Sequence, residues 1–419
     1  MLIVVLIFVT TYIIIISEKI NRTSIALLGA VLLMIFNIIN QEEAINHIDF
    51  NTIGLLIGMM IVVNIMKRSG IFTYVAIRAA KIAKGDPWKI IVVFSIITAV
   101  FSALLDNVTT ILLVVPVTLV ITDTLEMNPT PFLIPMVLFA NIGGTATLIG
   151  DPPNIMIGSA AGLGFTDFLL NLGPVVLVIF IVTILILKYT GSNNFHVDEV
   201  KKKKIMAFDE KLAIKDLALL KKSLFVLAMT IVGFMFHQSL GYDSATIALL
   251  GASVLLVISQ IDPEEVLIEI EWPTIFFFVA LFILVGGLQE VGIIDFLASK
   301  LLDITNGNLF ATTMFVLWGS AIASAFLDNI PFVATMIPLI KSIAVLASLN
   351  VTPLWWALAL GACLGGNGTL IGASANVIVG GMLEKHGYKL SFAKYMKTGF
   401  PIMLVSISIS SVYLAVFYF

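Results

Sequence analysis

The chain has 419 residues, 59% of them hydrophobic and 12% charged, with a mean hydropathy of +1.09. That excludes a soluble globular domain and indicates a polytopic membrane protein. The formal net charge of −3 says little, because charge is segregated by loop, and the single cysteine, Cys363, excludes an intrachain disulfide.

In chain order, apolar runs of membrane length are predicted near 2–16, 23–38, 52–66, 88–105, 108–122, 131–158 and 172–188, then near 223–238, 245–260, 273–288, 308–327, 330–347, 353–379 and 398–418. The first run has no basic start and no small-residue cleavage site, so it reads as a membrane helix rather than a signal peptide. Residues 189–222 form a polar linker with Lys201 to Lys204, expected to be a solvated cytoplasmic connection. Residues 71–84 read as an interfacial amphipathic helix, with 293–304 as its counterpart. The four histidines, His47, His196, His237 and His386, lie in polar connections without ligand spacing, and no metal site is expected of them.

The two halves repeat at a constant offset. Ser102-Ala-Leu-Leu-Asp106-Asn107 returns as Ser324-Ala-Phe-Leu-Asp328-Asn329, 222 residues on. Ile25 to Gly29 matches Ile247 to Gly251. Thr52, Gly70 and Pro116 match Thr274, Gly292 and Pro338, and Ala140 to Asn154 matches Ala362 to Asn376 at eight of fifteen positions.

If each Asp-Asn pair is the tip of a hairpin that enters and leaves on one side, each half crosses five times. The expected fold is therefore all-α: two inverted repeats of five crossing helices plus one re-entrant hairpin each, with broken helices. The first repeat is 1–188, with its hairpin at about 88–122 and its broken helix at about 131–158. The second is 223–419, with its hairpin at about 308–347 and its broken helix at about 353–379. With both termini outside, the loops 17–22, 67–89, 188–222 and 384–397 fall inside and hold 21 of the 23 Lys and Arg residues, all but Lys300 and Lys341. The acidic loop around Asp262-Pro-Glu-Glu265 then lies inside without a balancing base.

A carboxylate within a membrane segment is costly and is a site hypothesis by default. Asp106-Asn107 and Asp328-Asn329 sit where the chain reverses sharply. They can cap the next half-helix, or their oxygens can bind an ion at mid-membrane. Glycines and prolines in Asn141-Ile-Gly-Gly-Thr-Ala-Thr-Leu-Ile-Gly-Asp-Pro-Pro-Asn154 predict a broken helix, whose freed backbone groups are tolerated only where they line a cavity. Thr145, Thr147, Asp151 and Asn154 add side-chain oxygens there. The second copy supplies Asn367, Thr369, Ser374 and Asn376, and replaces Asp151-Pro-Pro153 with Ala373-Ser-Ala375. Close helix packing accounts for the glycines but not for Asp151 or the paired asparagines. These oxygen-rich surroundings suit a hard monovalent cation or a proton, and half-helix N-termini suit an anion. Thr109 and Thr110 become Pro331 and Phe332, so the first half is expected to dominate ion contact.

At these two motifs, Ser102 to Thr110 and Asn141 to Asn154, the chain resembles the ion transporter superfamily, in the ArsB/NhaD/P-protein branch with a citrate-transporter-like domain. The resemblance covers essentially the whole chain. It implies hairpins and broken helices meeting at a central site, a scaffold domain that is often dimeric, and an elevator-like movement. It carries over Asp106, Asn107, Thr109, Asp328 and Asn329 on the tips, with Thr147, Asp151, Asn154, Thr369 and Asn376 on the broken helices. Related dicarboxylate transporters carry Ser-Asn-Thr at the tips, where this chain reads Asp106-Asn107-Val108 and Asp328-Asn329-Ile330.

The expected function is ion-coupled secondary transport, across the plasma membrane, of a small inorganic or organic anion, arsenite-type species included, driven by protons or sodium. A sodium/proton antiporter is the alternative, and an anion channel of the same fold is a third reading. Sodium is placed at Asp106, Asn107, Asp328 and Asn329, and no other cofactor is expected. The expected partners are the small ion, the bilayer and a second copy in a homodimer, with an ATPase subunit if the cargo is arsenite-type, and no nucleic acid. No nucleophile–histidine pairing lies in the membrane segments, and no Gly-x-x-x-x-Gly-Lys-[Ser/Thr] loop occurs, so neither an enzyme nor a primary pump is expected.

Overall fold

The computed structural model describes every residue except 18, 192–196 and 348–349. His196 and part of the 189–222 linker lie outside the described residues. Among the described residues the chain is all-helical, with nine helices long and apolar enough to cross a membrane.

The first half runs Leu2–Ser17 (α1), Arg22–Ile35 (α2), Gln41–His47 (α3), Phe50–Arg68 (α4), Ile71–Ile82 (α5), Pro87–Leu104 (α6), Asn107–Thr124 (α7), Thr130–Gly144 (α8), Pro152–Ala161 (α9) and Phe165–Gly191 (α10). Glu199–Met206 (α11) and a short 3₁₀ turn, Glu210–Ala213, lie in the linker. The second half runs Leu217–Phe236 (α12), Ser244–Ser259 (α13), Pro263–Ile268 (α14), Trp272–Glu290 (α15), Ile293–Ile304 (α16), Leu309–Phe326 (α17), Asn329–Ala347 (α18), Thr352–Gly365 (α19), Ser374–Lys385 (α20) and Phe392–Tyr418 (α21). Shifting α4, α5 and α6 by 222 residues reproduces the bounds of α15, α16 and α17. The same stop signals recur at the same offset. Gly70 and Gly292 take φ of +84° and +73° before α5 and α16, a left-handed turn that glycine adopts without a Cβ clash.

The copies interlock rather than sit side by side. In one layer α4 packs on α13 and α2 on α15, each pair drawn from different halves. Gly54 and Gly58, one turn apart, meet Ala245 and Ala248, and a Cβ on Gly58 would come 2.6 Å from the Ala248 carbonyl carbon. Small residues let helices approach this closely where lipid supplies no hydrophobic drive. In the other layer α6 packs on α8 and α17 on α19. Ser102 donates to the Ala140 carbonyl and Ser324 to the Ala362 carbonyl, both at 2.6 Å, so each hairpin is pinned to its own broken helix by the same bond.

Loop contacts fall into two groups, one at each end of the bundle. On one face Lys201 pairs with Glu126 at 2.8 Å, Arg78 and Lys81 hold Glu210, and the Lys215 N–H donates to the Ser69 carbonyl. On the other, His47 meets Glu290 at 3.1 Å, Gln238 donates to the Gly162 carbonyl, and Ser342 donates to Asp295 at 2.6 Å. The base of the α6–α7 hairpin belongs to the first face and that of α17–α18 to the second. The two hairpins therefore enter from opposite ends, although each 18-residue arm of α6 and α7, at about 27 Å, is nearly long enough to cross.

Two expectations change. The acidic 262–265 loop does have a balancing base: Arg68 bonds Glu265 at 2.6 Å and Glu269 at 2.9 Å. Sequence counting missed it because Arg68 closes α4, 197 positions away. The 71–84 helix is more than interfacial. It buries Phe72, Ala76, Ala79 and Ala80, and its bases clamp the linker, with Glu210 accepting from Lys81 at 2.6 Å and from Arg78 at 3.0 Å. The Lys81 bond, with help from Arg78, holds the Glu210 carboxyl down at about 2.

Candidate functional site

Both tips are built by caps. α6 stops at Leu104 and α7 starts at Asn107; between them Asp106 accepts the Thr109 N–H at 2.7 Å. At the second tip Asp328 Oδ1 accepts the Ile330 N–H at 3.1 Å. The cap and the ion-site readings therefore coexist on one side chain, because a carboxylate has a second oxygen to offer.

At the second tip that other oxygen is taken. Arg22, the first residue of α2, places Nη1 2.5 Å from Asp328 Oδ2 and 2.9 Å from Ser374 Oγ, and Ser374 Oγ donates to the same carboxylate oxygen at 3.0 Å. The guanidinium lies 5.0 Å from the Phe277 ring centroid, a cation–π contact. By sequence Arg22 is one of the loop charges of 17–22. Its only signal was that it follows Asn21, which caps α2 through the Thr23 and Ser24 amides and so fixes Arg22 at a helix start.

Asparagines link the halves at the centre. Asn107 donates to Asn141 at 3.1 Å, and Asn141 donates to Asn367 at 2.9 Å and Asn376 at 3.0 Å. All four are buried. In the sequence Asn141 is marked only by its place at the start of the segment Asn141 to Asn154. Its counterpart is Cys363, whose Sγ donates to Asn154 Oδ1 at 3.4 Å, as Asn141 donates to Asn376. Asn154 and Asn376 turn their own amides to the carbonyls of the breaks: Thr147 O at 2.8 Å and Gly366 O at 2.7 Å. These are the backbone groups that a break leaves without helical partners.

The threonines serve the breaks. Thr145 donates to the Asn141 carbonyl at 2.7 Å, Thr147 to the Ala103 carbonyl at 2.5 Å, and Thr369 to the Ala325 carbonyl. Each of these hydroxyls thus spends its hydrogen on the scaffold of the site.

Asp151 is different. It occupies the N-cap position of α9, where its carbonyl accepts the Asn154 N–H, yet its side chain caps nothing. Pro152 and Pro153 follow it and have no N–H to offer, which frees the carboxylate. It is 1% exposed, and both oxygens lie 3.4 Å from the Asn329 amide on the opposite tip. The second copy has Ala373 here, so the structure holds three carboxylates at its two tips and two breaks, with Arg22 paired to only one of them.

A family profile described as "Citrate transporter" (CitMHS) matches residues 12–361. An uncharacterized transporter of Mycobacterium bovis is 43% identical across 99% of this chain and 97% of its own length. The P protein of Homo sapiens is 35% identical across 97% of this chain, which spans 58% of that longer relative. Among solved structures, the YdaH transporter of Alcanivorax borkumensis shares the fold with a TM-score of 0.61 at 12% identity, over 90% of this chain and 87% of its own. Interlocked halves, paired hairpins and matching relatives agree: the chain is a multi-pass membrane transporter and belongs to the citrate transporter family.

Proposed function

We propose that the chain is an ion-coupled secondary active transporter that moves a small anion across the plasma membrane. The observation that carries this reading is the coexistence of one guanidinium, Arg22, with the carboxylates Asp106, Asp151 and Asp328 at two hairpin tips and one helix break. Arg22 supplies the charge an anion needs. Asp106 and Asp151 supply oxygens for a proton or a sodium ion, alongside Asn107 and Asn329. While Arg22 sits 2.5 Å from Asp328, a second cation at that tip is opposed by like charge. The hairpin layer is the moving part, sliding elevator-like against α2, α4, α13 and α15, whose small-residue contacts make a rigid frame. The basic face lies in the cytoplasm and both termini outside, following the Lys and Arg distribution. We read the chain as a carrier rather than an enzyme, working as a homodimer, with an ATPase subunit only if its cargo is arsenite-type.

Sodium/proton antiport is the second reading, favoured by the two carboxylates, Asp106 and Asp151, that pair with no base among the described residues. Reconstituted proteoliposomes separate the two. Anion uptake against its gradient under an imposed sodium or proton gradient supports the first reading and removes a channel. Sodium-driven proton movement with no permeant anion, and no gradient-driven anion uptake, overturns it in favour of antiport.

A further inference from the structure

A cavity of about 300 Å³ lies beside the second tip, lined among others by Tyr12, Asn21, Arg22, Asp328 and Ser374. That volume is at the small end of ligand sites. Within it, Asp328 Oδ2 accepts from both Arg22 Nη1 and Ser374 Oγ, the pattern in which an external carboxylate or oxyanion would be held. Among the described residues Arg22 hydrogen-bonds the protein through Nη1 alone, with its guanidinium also over the Phe277 ring. Among the described residues its Nε and Nη2 bond no protein group, although a guanidinium has five donors. The charge is 31% exposed. Other charges lie within electrostatic reach: Glu271, the residue before α15, faces both Arg22 and Asp106, and Asp151 faces Asp328. The first tip has no such arrangement: at the 222-residue offset, Ser244 stands for Arg22 and Pro152 for Ser374.

We infer that Arg22 is the anion-recognising residue of this transporter and that Asp328 is a built-in competitor for it. An oxyanion or carboxylate entering the cavity takes the guanidinium fork and the Ser374 hydroxyl, and Asp328 releases them. The freed carboxylate, enclosed by Pro331, Phe332 and Phe326, then needs a cation of its own. Anion binding at Arg22 thus opens a further cation site at Asp328, in addition to the oxygens of Asp106 and Asp151, and no covalent step is involved. This rests on the anion-transport reading above and names the residue that would execute it.

The test uses purified full-length protein in lipid nanodiscs, with binding of citrate and of inorganic phosphate, each as the sodium salt, measured by calorimetry. The expectation is that one of the two binds; which one tells a carboxylate from an oxyanion site. Arg22→Gln should weaken that affinity at least thirtyfold, on the order of a lost charged hydrogen-bond pair. Ser374→Ala should weaken it a few-fold. Asp328→Asn should strengthen it several-fold and reduce its dependence on sodium or pH, a gain that a damaged fold would not produce. Unchanged affinity in Arg22→Gln, weaker binding in Asp328→Asn, or no binding of either probe by the unaltered protein overturns the proposal. If Arg22→Gln liposomes still accumulate anion with an unaltered KM, this inference fails and anion transport stands. If the unaltered protein accumulates no anion at all, the broader reading fails with it.

Discussion

The two hairpin tips are copies in sequence and opposites in electrostatics. Asp106 and Asp328 both cap the following helix through a backbone amide two or three residues on. Only Asp328 meets a guanidinium, and that guanidinium comes from outside the hairpin, 306 residues away. Near the first tip lies instead Thr110, whose buried hydroxyl has no hydrogen-bond partner among the described residues, where the second copy has Phe332. Asp151 then adds a buried carboxylate that the second copy lacks. A duplicated fold has thus kept its skeleton symmetric and made its charges asymmetric: a guanidinium pairs with the second-tip carboxylate, whereas Asp106 at the first tip and Asp151 beside Asn329 pair with no base among the described residues. Symmetric packing with asymmetric charge lets one fold hold two kinds of ion at once.

The symmetric part breaks hardest. A Cβ on Gly143 would run into the Ala99 backbone, and one on Gly365 would come 2.6 Å from the Ala321 carbonyl oxygen. Backbone cannot yield as a side chain can, so Gly143→Val and Gly365→Val should each lower stability by roughly 3 kcal/mol or more. Thermal unfolding in detergent, with equal losses in both variants, checks that the halves pack alike; a loss confined to one would show that they do not.

The asymmetric part responds next. Asn caps a helix about as well as Asp, so Asp106→Asn keeps the turn and removes only the charge. Gradient-driven uptake should fall at least about tenfold with little change in melting temperature, as expected of a membrane carboxylate that binds an ion. Preserved uptake would reduce Asp106 to a cap. For the Arg22–Asp328 pair, a double-mutant cycle on unfolding should give a coupling of about 1–3 kcal/mol, and the same cycle on Ser244 and Asp106 should give none.

Smaller effects come from the faces. The depressed Glu210 carboxyl implies a definite sign: its docking energy is fully present above the ordinary glutamate range, near 4.5, and fades as pH falls toward about 2. Protection factors in residues 199–215, with the intrinsic pH dependence of amide exchange divided out, should therefore be flat from pH 7 to 5, fall only in stronger acid, and be lowered at pH 7 by Glu210→Gln. Arg68→Gln, which cuts a largely exposed ion network, should change stability by no more than about 1 kcal/mol in the same unfolding assay.

Much of this was legible in the chain itself. Mean hydropathy and run lengths set the membrane class, and one constant offset located the paired helices from α2 and α13 to α9 and α20, because helix ends depend on local signals such as Gly70 and Gly292 or the caps Asp106 and Asp328. Pro152 and Pro153 even foretold a break. Tertiary structure alone decided which charges meet. Arg22 finds Asp328, Asn141 finds Asn367 and Asn376, and Arg68 finds Glu265, all across separations of about two hundred residues or more. A helix break announces itself in the few residues that make it. An ion pair depends on distance in space, which the interlocking of the halves sets and sequence spacing does not record.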